Sequence, residues 1–334
     1  MDWEKGALRL GAAVVAGALL LRVLGGGAGL VGQALTNQEL TSALVYMHTG
    51  RLVKPVAETA LSATEQTPTQ TLQTENTEPV PTQPQTEPAA LPVFGAEDAK
   101  IIRINNVCGY KTNIKKMLAQ PLKWQLQADE PTVLILHSHA TEGYAGISGY
   151  RSKSEKKNML SIGKELKKSL EAAGIGVIHD KTLHDSPSYN DAYANARESI
   201  RKYLKKYPSI RMVLDLHRDA VADENGKQMK FSLTVDGTAT AQLMLVVGTD
   251  AGGAYHPQWE ENMALAVKLQ AQLERRVPGI CRSISFRNQR FNQDLSPGAL
   301  IVEVGSAGNT QKEALAAARQ LAGAVIDLAG GTGS

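Results

Sequence analysis

Five apolar runs of strand type, "TVLILH", "IGVIHD", "RMVLDLH", "AQLMLVVG" and "GALIVEVG", are spread between residues 132 and 305. They are interleaved with stretches whose apolar residues recur at helical spacing. Runs that are apolar on both faces must be covered on both sides. That pattern specifies an α/β domain with a mainly parallel central sheet flanked by helices. The spacing predicts a helix over about 158–173, with Met159, Ile162, Leu166 and Leu170 on one face and Gly174 as its stop. Further helices are expected over about 189–207 and 259–276, and in the closing stretch "TQKEALAAARQLAGAVIDLA".

Three of the runs end in polar side chains. "VLILHSHATE" carries His137, His139 and Glu142; "MVLDLHRD" carries Asp215, His217 and Asp219; "LIVEVG" carries Glu303. Such groups at strand tips cost folding energy unless something uses them. In parallel sheets, sites form at the carboxyl ends of strands. Two imidazoles and a carboxylate suit a catalytic zinc, which keeps one position open for water, and a further carboxylate then takes that water's proton. The spacing assigns His139, Glu142 and His217 as ligands and Glu303 as general base. His137 is an alternative ligand or a supporting partner, because side chains repeat every two residues along a strand. Glu155 is a rival carboxylate ligand. Arg218 is a candidate oxyanion donor, with an ordinary salt-bridge role as the other reading. In the polar loop "FRNQRFNQDL", Asn288, Arg290, Asn292 and Gln293 are candidate substrate-binding residues. His48, His179, His184 and His256 are read as surface, loop or core histidines.

The chain has 334 residues, with 43% hydrophobic and 21% charged, which is ordinary for a globular protein. A net charge of +3 and no aromatic-rich basic motif argue against nucleic acid as a partner. The basic residues Arg151, Lys153, Lys156, Lys157, Lys164, Lys167 and Lys168, with "RKYLKK", suit either a solvated helix face or contact with an anionic polymer. Cys108 and Cys281 lack metal-ligand spacing and read as two buried thiols or a single bridge.

The first 35 residues differ. They are apolar from about Leu10 to Leu35, broken by Arg22 and Gln33, with Lys5 and Arg9 ahead of the run. That length and charge order predict a single-pass transmembrane anchor with a cytoplasmic N-terminus and the rest of the chain outside. A cleaved signal peptide is the rival, with Gly32-Gln33-Ala34 as a poor cleavage site. Residues 36–62 are expected to be a juxtamembrane helical segment. Residues 63–98, rich in Thr, Gln, Glu and Pro, are expected to form a disordered linker. Residues 99–334 are then the catalytic domain.

The motifs "LHSHATEGY", "HDKTLHDSPSYNDAY", "LDLHRDA", "LMLVVGTD", "HPQWEEN" and "RNQRFNQDLSPGALIVEVGSAGNT", in this order, resemble the stage II sporulation protein P family. The resemblance spans about residues 106–328. It implies a membrane-anchored, zinc-dependent (Zn2+) N-acetylmuramoyl-L-alanine amidase that degrades peptidoglycan during engulfment, with an added endopeptidase activity on peptide cross-links. It implies a fold similar to cell-wall amidases of the phosphorylase/hydrolase type and, more remotely, to zinc carboxypeptidases. Those carry a His-x-x-Glu pair, a later His and a later Glu, an order matched by His139, Glu142, His217 and Glu303. Ser138 and Thr141 match hydroxyl positions of the opening motif. Gly143 stands where the family often has alanine or serine. Sporulation stage II proteins D and M are the partners the resemblance implies. A zinc peptidase on ordinary peptides, or a non-enzymatic membrane scaffold, are the alternative functions.

Overall fold

The computed structural model describes residues 91–122 and 124–330. The anchor, the juxtamembrane segment and most of the linker therefore lie outside the described residues. Among those described, no helix is long and apolar enough to cross a membrane.

A seven-stranded sheet organises the chain. Its strands are β1 (Ile104–Asn106), β2 (Val133–Leu136), β3 (Val177–His179), β4 (Met212–Asp219), β7 (Leu243–Val247), β8 (Ile284–Phe286) and β9 (Ala299–Ser306). The order is β1-β8-β7-β9-β4-β2-β3. Every pairing is parallel except β7 with β9. The sheet is thus mainly parallel, as the doubly apolar runs predict, with one reversal at its centre. A two-stranded hairpin, β5 (Ser232–Val235) and β6 (Thr238–Ala241), stands apart from it. Asp236 and Gly237 form the hairpin turn, both at positive φ.

Helices cover both faces. On one side lie α1 (Ala96–Ile101), α2 (Ile114–Ala119), α3 (Met159–Ala172), α5 (Trp259–Arg276) and α6 (Gln311–Leu328). The buried face of α3 is Met159, Ile162, Leu166 and Leu170, as its spacing requires, and it packs with Val133, Ile135, Leu214 and Leu216. Asn158 caps its start, and Gly174, at φ 73°, follows its last residues. On the other side α4 (Ala192–Lys206) lays Ala196 and Ile200 over Leu134, Leu136, Val213 and Ala299. Side-chain alternation then decides where the polar strand ends point. Asp215 and His217 follow Val213 at steps of two, and Glu303 follows Ala299 at a step of four, so all three face α4.

The linker boundary needs correction. Composition extends the linker to residue 98, but α1 begins at Ala96. Asp98 is buried and holds a two-pronged ion pair with Arg275, at 2.6 and 2.7 Å. The partner is 177 residues away, so local composition carries no trace of it.

Candidate active site

The site begins where β2 stops. At Leu136 the chain leaves the sheet and turns, and Glu142 N donates to His139 O across 3.2 Å. Two buried carboxylates fix this turn from outside. Asp215 accepts from Ser138 N at 2.7 Å and from Ser138 Oγ at 2.5 Å. Asp185 accepts from Thr141 N at 3.2 Å and from Thr141 Oγ1 at 2.6 Å. The two hydroxyls that punctuate the motif thus lock its backbone to β4 and to the loop before α4.

Once locked, the turn presents His139 and Glu142 to β4. The His139 and His217 rings lie 5.3 Å apart, nearly perpendicular. Glu142 Oε2 stands 3.7 Å from His217 Nδ1 and accepts from Arg218 N at 3.1 Å. Asp215 Oδ1 lies 2.9 Å from His217 Nε2, an ion pair by distance that is not aligned as a hydrogen bond. On the next strand Glu303 is the register partner of His217. Tyr189 stacks on His139 at 4.3 Å, and Tyr193 meets the same ring edge-on at 5.3 Å while lying parallel to His217 at 6.2 Å.

The electrostatics follow from this crowding. Burial pulls His217 down, but Asp215, Glu142 and Glu303 together hold it well above the ordinary imidazole range. Burial holds His139 low, and the neighbouring His217 adds to the effect. Glu303 is pushed up to about 8, mainly by burial and further by Glu142 and Asp219, against the pull of His217. A carboxyl in that range exchanges its proton near neutrality, which suits acid–base work.

The donor chemistry fits a borderline cation. His139 Nδ1 and Glu303 Oε2 are both enclosed without a hydrogen-bond partner, although buried polar atoms are normally paired. His139 and Glu142 both neighbour His217, at 5.3 Å between rings and 3.7 Å from carboxylate to Nδ1, and Glu303 is its register partner on β9. Among the described residues, no three His, Cys, Asp or Glu side chains already stand in the arrangement a metal ion requires. The fit therefore rests on donor identity and on the unsatisfied atoms.

Other expected residues are placed elsewhere. His137 does not share a face with His139, because β2 ends before either. Its Nδ1 faces Leu216 O at 3.0 Å and its Nε2 faces His179 Nε2 at 2.8 Å, so both nitrogens are engaged away from the pocket. Gly163 of α3 packs so close that a Cβ would meet His179 at 2.4 Å and His137 at 2.6 Å. Glu155 is exposed and pairs with Lys181 at 3.4 Å. Arg218 is buried, but its Nε donates to Gly143 O and its Nη2 to Tyr150 O, which ties the loop after Glu142 to β4.

The substrate-loop expectation divides. Gln293 is buried, accepting from Gly248 N and donating to Val246 O, both at 2.9 Å. Asn292 is buried and donates to Tyr193 O at 2.7 Å, while Arg197 forks onto Asp294 beside it at 2.8 and 2.6 Å. Gln293 ties the loop to the end of β7, Asn292 ties it to α4, and neither is open to substrate. Asn288 is exposed, and Arg290 is half-buried, with Nε 3.6 Å from Asp294. Cys108 and Cys281 are both free thiols; Cys281 is buried, as the reading of two buried thiols expects, whereas Cys108 is only half-buried.

Tyr189, Tyr193 and Asp185 carry no site role in the sequence reading, and Arg151 only that of a basic residue on a solvated face or against an anionic polymer. The first three lie in "HDSPSYNDAY", part of a motif that carries the family resemblance, but its composition points to no chemistry of their own. A cavity of about 540 Å³ near Trp124, Gln127, Thr132 and Arg211 opens at the start of β2 and β4, the far end of these strands from Glu303.

Comparison with known proteins agrees with the motif reading. A curated relative, the stage II sporulation protein P of Bacillus subtilis (strain 168), is 26% identical over 214 residues, or 59% of this chain. The chain spans about half the length of that relative, 51% of it. Solved N-acetylmuramoyl-L-alanine amidases from Clostridium difficile 630 and Mycobacterium abscessus match at 16% and 13% identity, with TM-scores of 0.34 and 0.38. Each covers 59% of this chain, and 95% and 96% of its own. The model of the family described as Stage II sporulation protein P (SpoIIP) matches residues 36–326. The chain belongs to that family.

Proposed function

We propose that this protein is a zinc-dependent N-acetylmuramoyl-L-alanine amidase, with endopeptidase activity on peptide cross-links, that degrades peptidoglycan during sporulation. The observation that carries this reading is the His217–Glu303 register pair. It sets a carboxyl with a raised pKa beside the imidazole and carboxylate donors His139, Glu142 and His217. In this reading those three hold the ion. Bound zinc supplies Lewis acidity towards the amide carbonyl and makes water a stronger acid.

The chain's own residues do the rest. Glu303 takes the proton of the attacking water as the oxygen–carbon bond forms, then returns it to the leaving nitrogen as the carbon–nitrogen bond breaks. Asp215 orients His217, so that Nδ1 is turned towards Glu142. Tyr189 and Tyr193 wall His139 and keep bulk water from its faces. Arg218 supports the reaction indirectly, by fixing the loop from Gly143 to Tyr150.

The membrane placement rests on the sequence: a single-pass anchor in residues 10–35, with the catalytic domain outside the cell membrane. The family supports sporulation stage II proteins D and M as partners. The deciding experiment is muropeptide analysis of sacculi digested by the purified protein, with and without chelator. Free stem peptides that appear only without chelator support the amidase. Cleavage of ordinary peptides with sacculi left intact would overturn it in favour of a general peptidase.

A further inference from the structure

The outer wall of the site is a layered column. The His139 ring is covered by Tyr189, nearly parallel at 17° and 4.3 Å. Arg151 lies over Tyr189 in turn, its Cζ 4.4 Å from the ring centroid. The guanidinium is thus one aromatic layer from a predicted metal ligand. Two of its three nitrogens are committed: Nε donates to Thr141 Oγ1 at 3.1 Å, and Nη2 donates to the buried Asp185 at 2.5 Å. Nη1 takes no part in those two bonds, and the side chain is 37% exposed.

The backbone delivering Arg151 is held in an unusual shape. Gly149 and Tyr150 both have positive φ, 61° and 53°, and a tyrosine there is strained. Arg218 Nη2 clamps Tyr150 O, and Arg151 itself bridges Glu142. A surface arginine with no task would not need this support. Asp185 offsets part of the charge, but its side chain is fully enclosed while that of Arg151 is partly open to solvent.

We infer that the outward edge of Arg151 recognises a free carboxylate on the substrate, two or three residues beyond the scissile amide. Arginine is the side chain suited to planar, directional contact with carboxylates. An extended peptide advances about 3.5 Å per residue, and the two stacked layers from His139 to the guanidinium, 4.3 and 4.4 Å, are a span of that order for two or three residues. In a stem peptide cut at its first amide, the matching group is the α-carboxylate of a second-position glutamate. Arg151 is therefore a specificity determinant that separates stem peptides carrying this free acid from those in which it is amidated. The inference rests on the hydrolase reading, and its test separates the two.

The full chain is assayed on two muropeptides that differ only in this group, free acid or primary amide. The expected result is a KM at least about 10-fold higher for the amide, with kcat changed less than about 3-fold, in keeping with the loss of one charge-assisted contact. Arg151→Gln should erase the preference, and Arg151→Lys should restore part of it. Equal KM values in the wild-type chain would overturn the inference, whether or not either variant folds. Calorimetric binding of both compounds to Glu303→Gln gives a readout independent of turnover. Preference for the acid there, lost in the added Arg151→Gln variant, supports the inference even if the wild type cleaves neither compound; that outcome removes only the hydrolase reading. Equal binding overturns the inference.

Discussion

His217 and Glu303 are Cα partners on adjacent parallel strands, so their side chains leave the same face of the sheet at the same level. The separation of β4 and β9 is fixed by backbone hydrogen bonds and does not depend on loop conformation. The register slips only beyond this point, between His217 and Asp219. A predicted ligand and a predicted base are thereby set on rigid elements, while His139 and Glu142 come from a turn that two carboxylates must hold.

Glu303→Gln keeps the shape of the side chain and removes its ability to take a proton. Activity on muropeptides should fall by about 10²–10⁴-fold, the usual range for a lost general base. Zinc content measured by elemental analysis should stay at the wild-type level, because Glu303 is not assigned as a ligand. Activity within about threefold of wild type would remove Glu303 from the base role. Loss of metal with retained fold would make it a ligand.

Asp215 serves two neighbours at once, Ser138 and His217. Asp215→Asn should weaken zinc binding by about 10–100-fold, the usual scale for a group that orients a metal-bound imidazole. Ser138→Ala removes one hydrogen bond to a buried charge and should cost about 1.5–3 kcal/mol of stability. Its effect on metal affinity should be smaller, because Ser138 N still holds the turn. A competition titration with a chromogenic chelator, run beside urea unfolding, separates the effects. Unchanged metal affinity in Asp215→Asn would leave Asp215 a purely structural residue.

The loop before β9 separates substrate residues from structural ones. Gln293→Ala leaves Gly248 N and Val246 O buried and unpaired. It should cost about 2–4 kcal/mol, read as a lower denaturation midpoint. Asn288→Ala, on the exposed part of the loop, should leave that midpoint within about 0.5 kcal/mol and change KM if Asn288 touches substrate. The opposite pattern would mean that the loop rearranges in solution.

Much of this was legible because parallel sheets impose strong patterns. β2, β4, β7 and β9 announce themselves as apolar runs. The polar residues at their tips stand out because nothing else in such a strand is polar. β1 and β8, only three residues each, do not read as strands in the sequence, nor does the short β5–β6 hairpin. The settings of His137 and Gln293 are illegible for a different reason. Once β2 ends at Leu136, His137 and His139 no longer obey strand alternation, and one glutamine in a polar loop looks like any other. Tyr189 and Tyr193 join the site through a loop whose path depends on Asp185 meeting Thr141, 44 residues away. The hydroxyls of Ser138 and Thr141 were visible as motif positions, but their purpose needed the carboxylates that receive them.

Lys268 gives a prediction that depends on pH and not on the site. It is 4% exposed, its ammonium donates to Met117 O, and no carboxylate pairs with it among the described residues. Burial lowers its pKa from 10.5 to about 8. The unfolded chain keeps this proton up to its ordinary pKa, whereas the folded chain gives it up near 8. Between those values the unfolded state binds more protons, so stability contributed by this group rises with pH across that window. At pH 7 the folded chain carries the buried charge at a cost of roughly 3 kcal/mol. Lys268→Met removes that cost and also the bond to Met117 O. It should therefore stabilise by about 1–2 kcal/mol at pH 7, with the gain shrinking towards pH 10. Urea unfolding at several pH values tests this: a variant less stable than wild type at pH 7, or a difference that does not change with pH, would mean that Lys268 reaches water in solution.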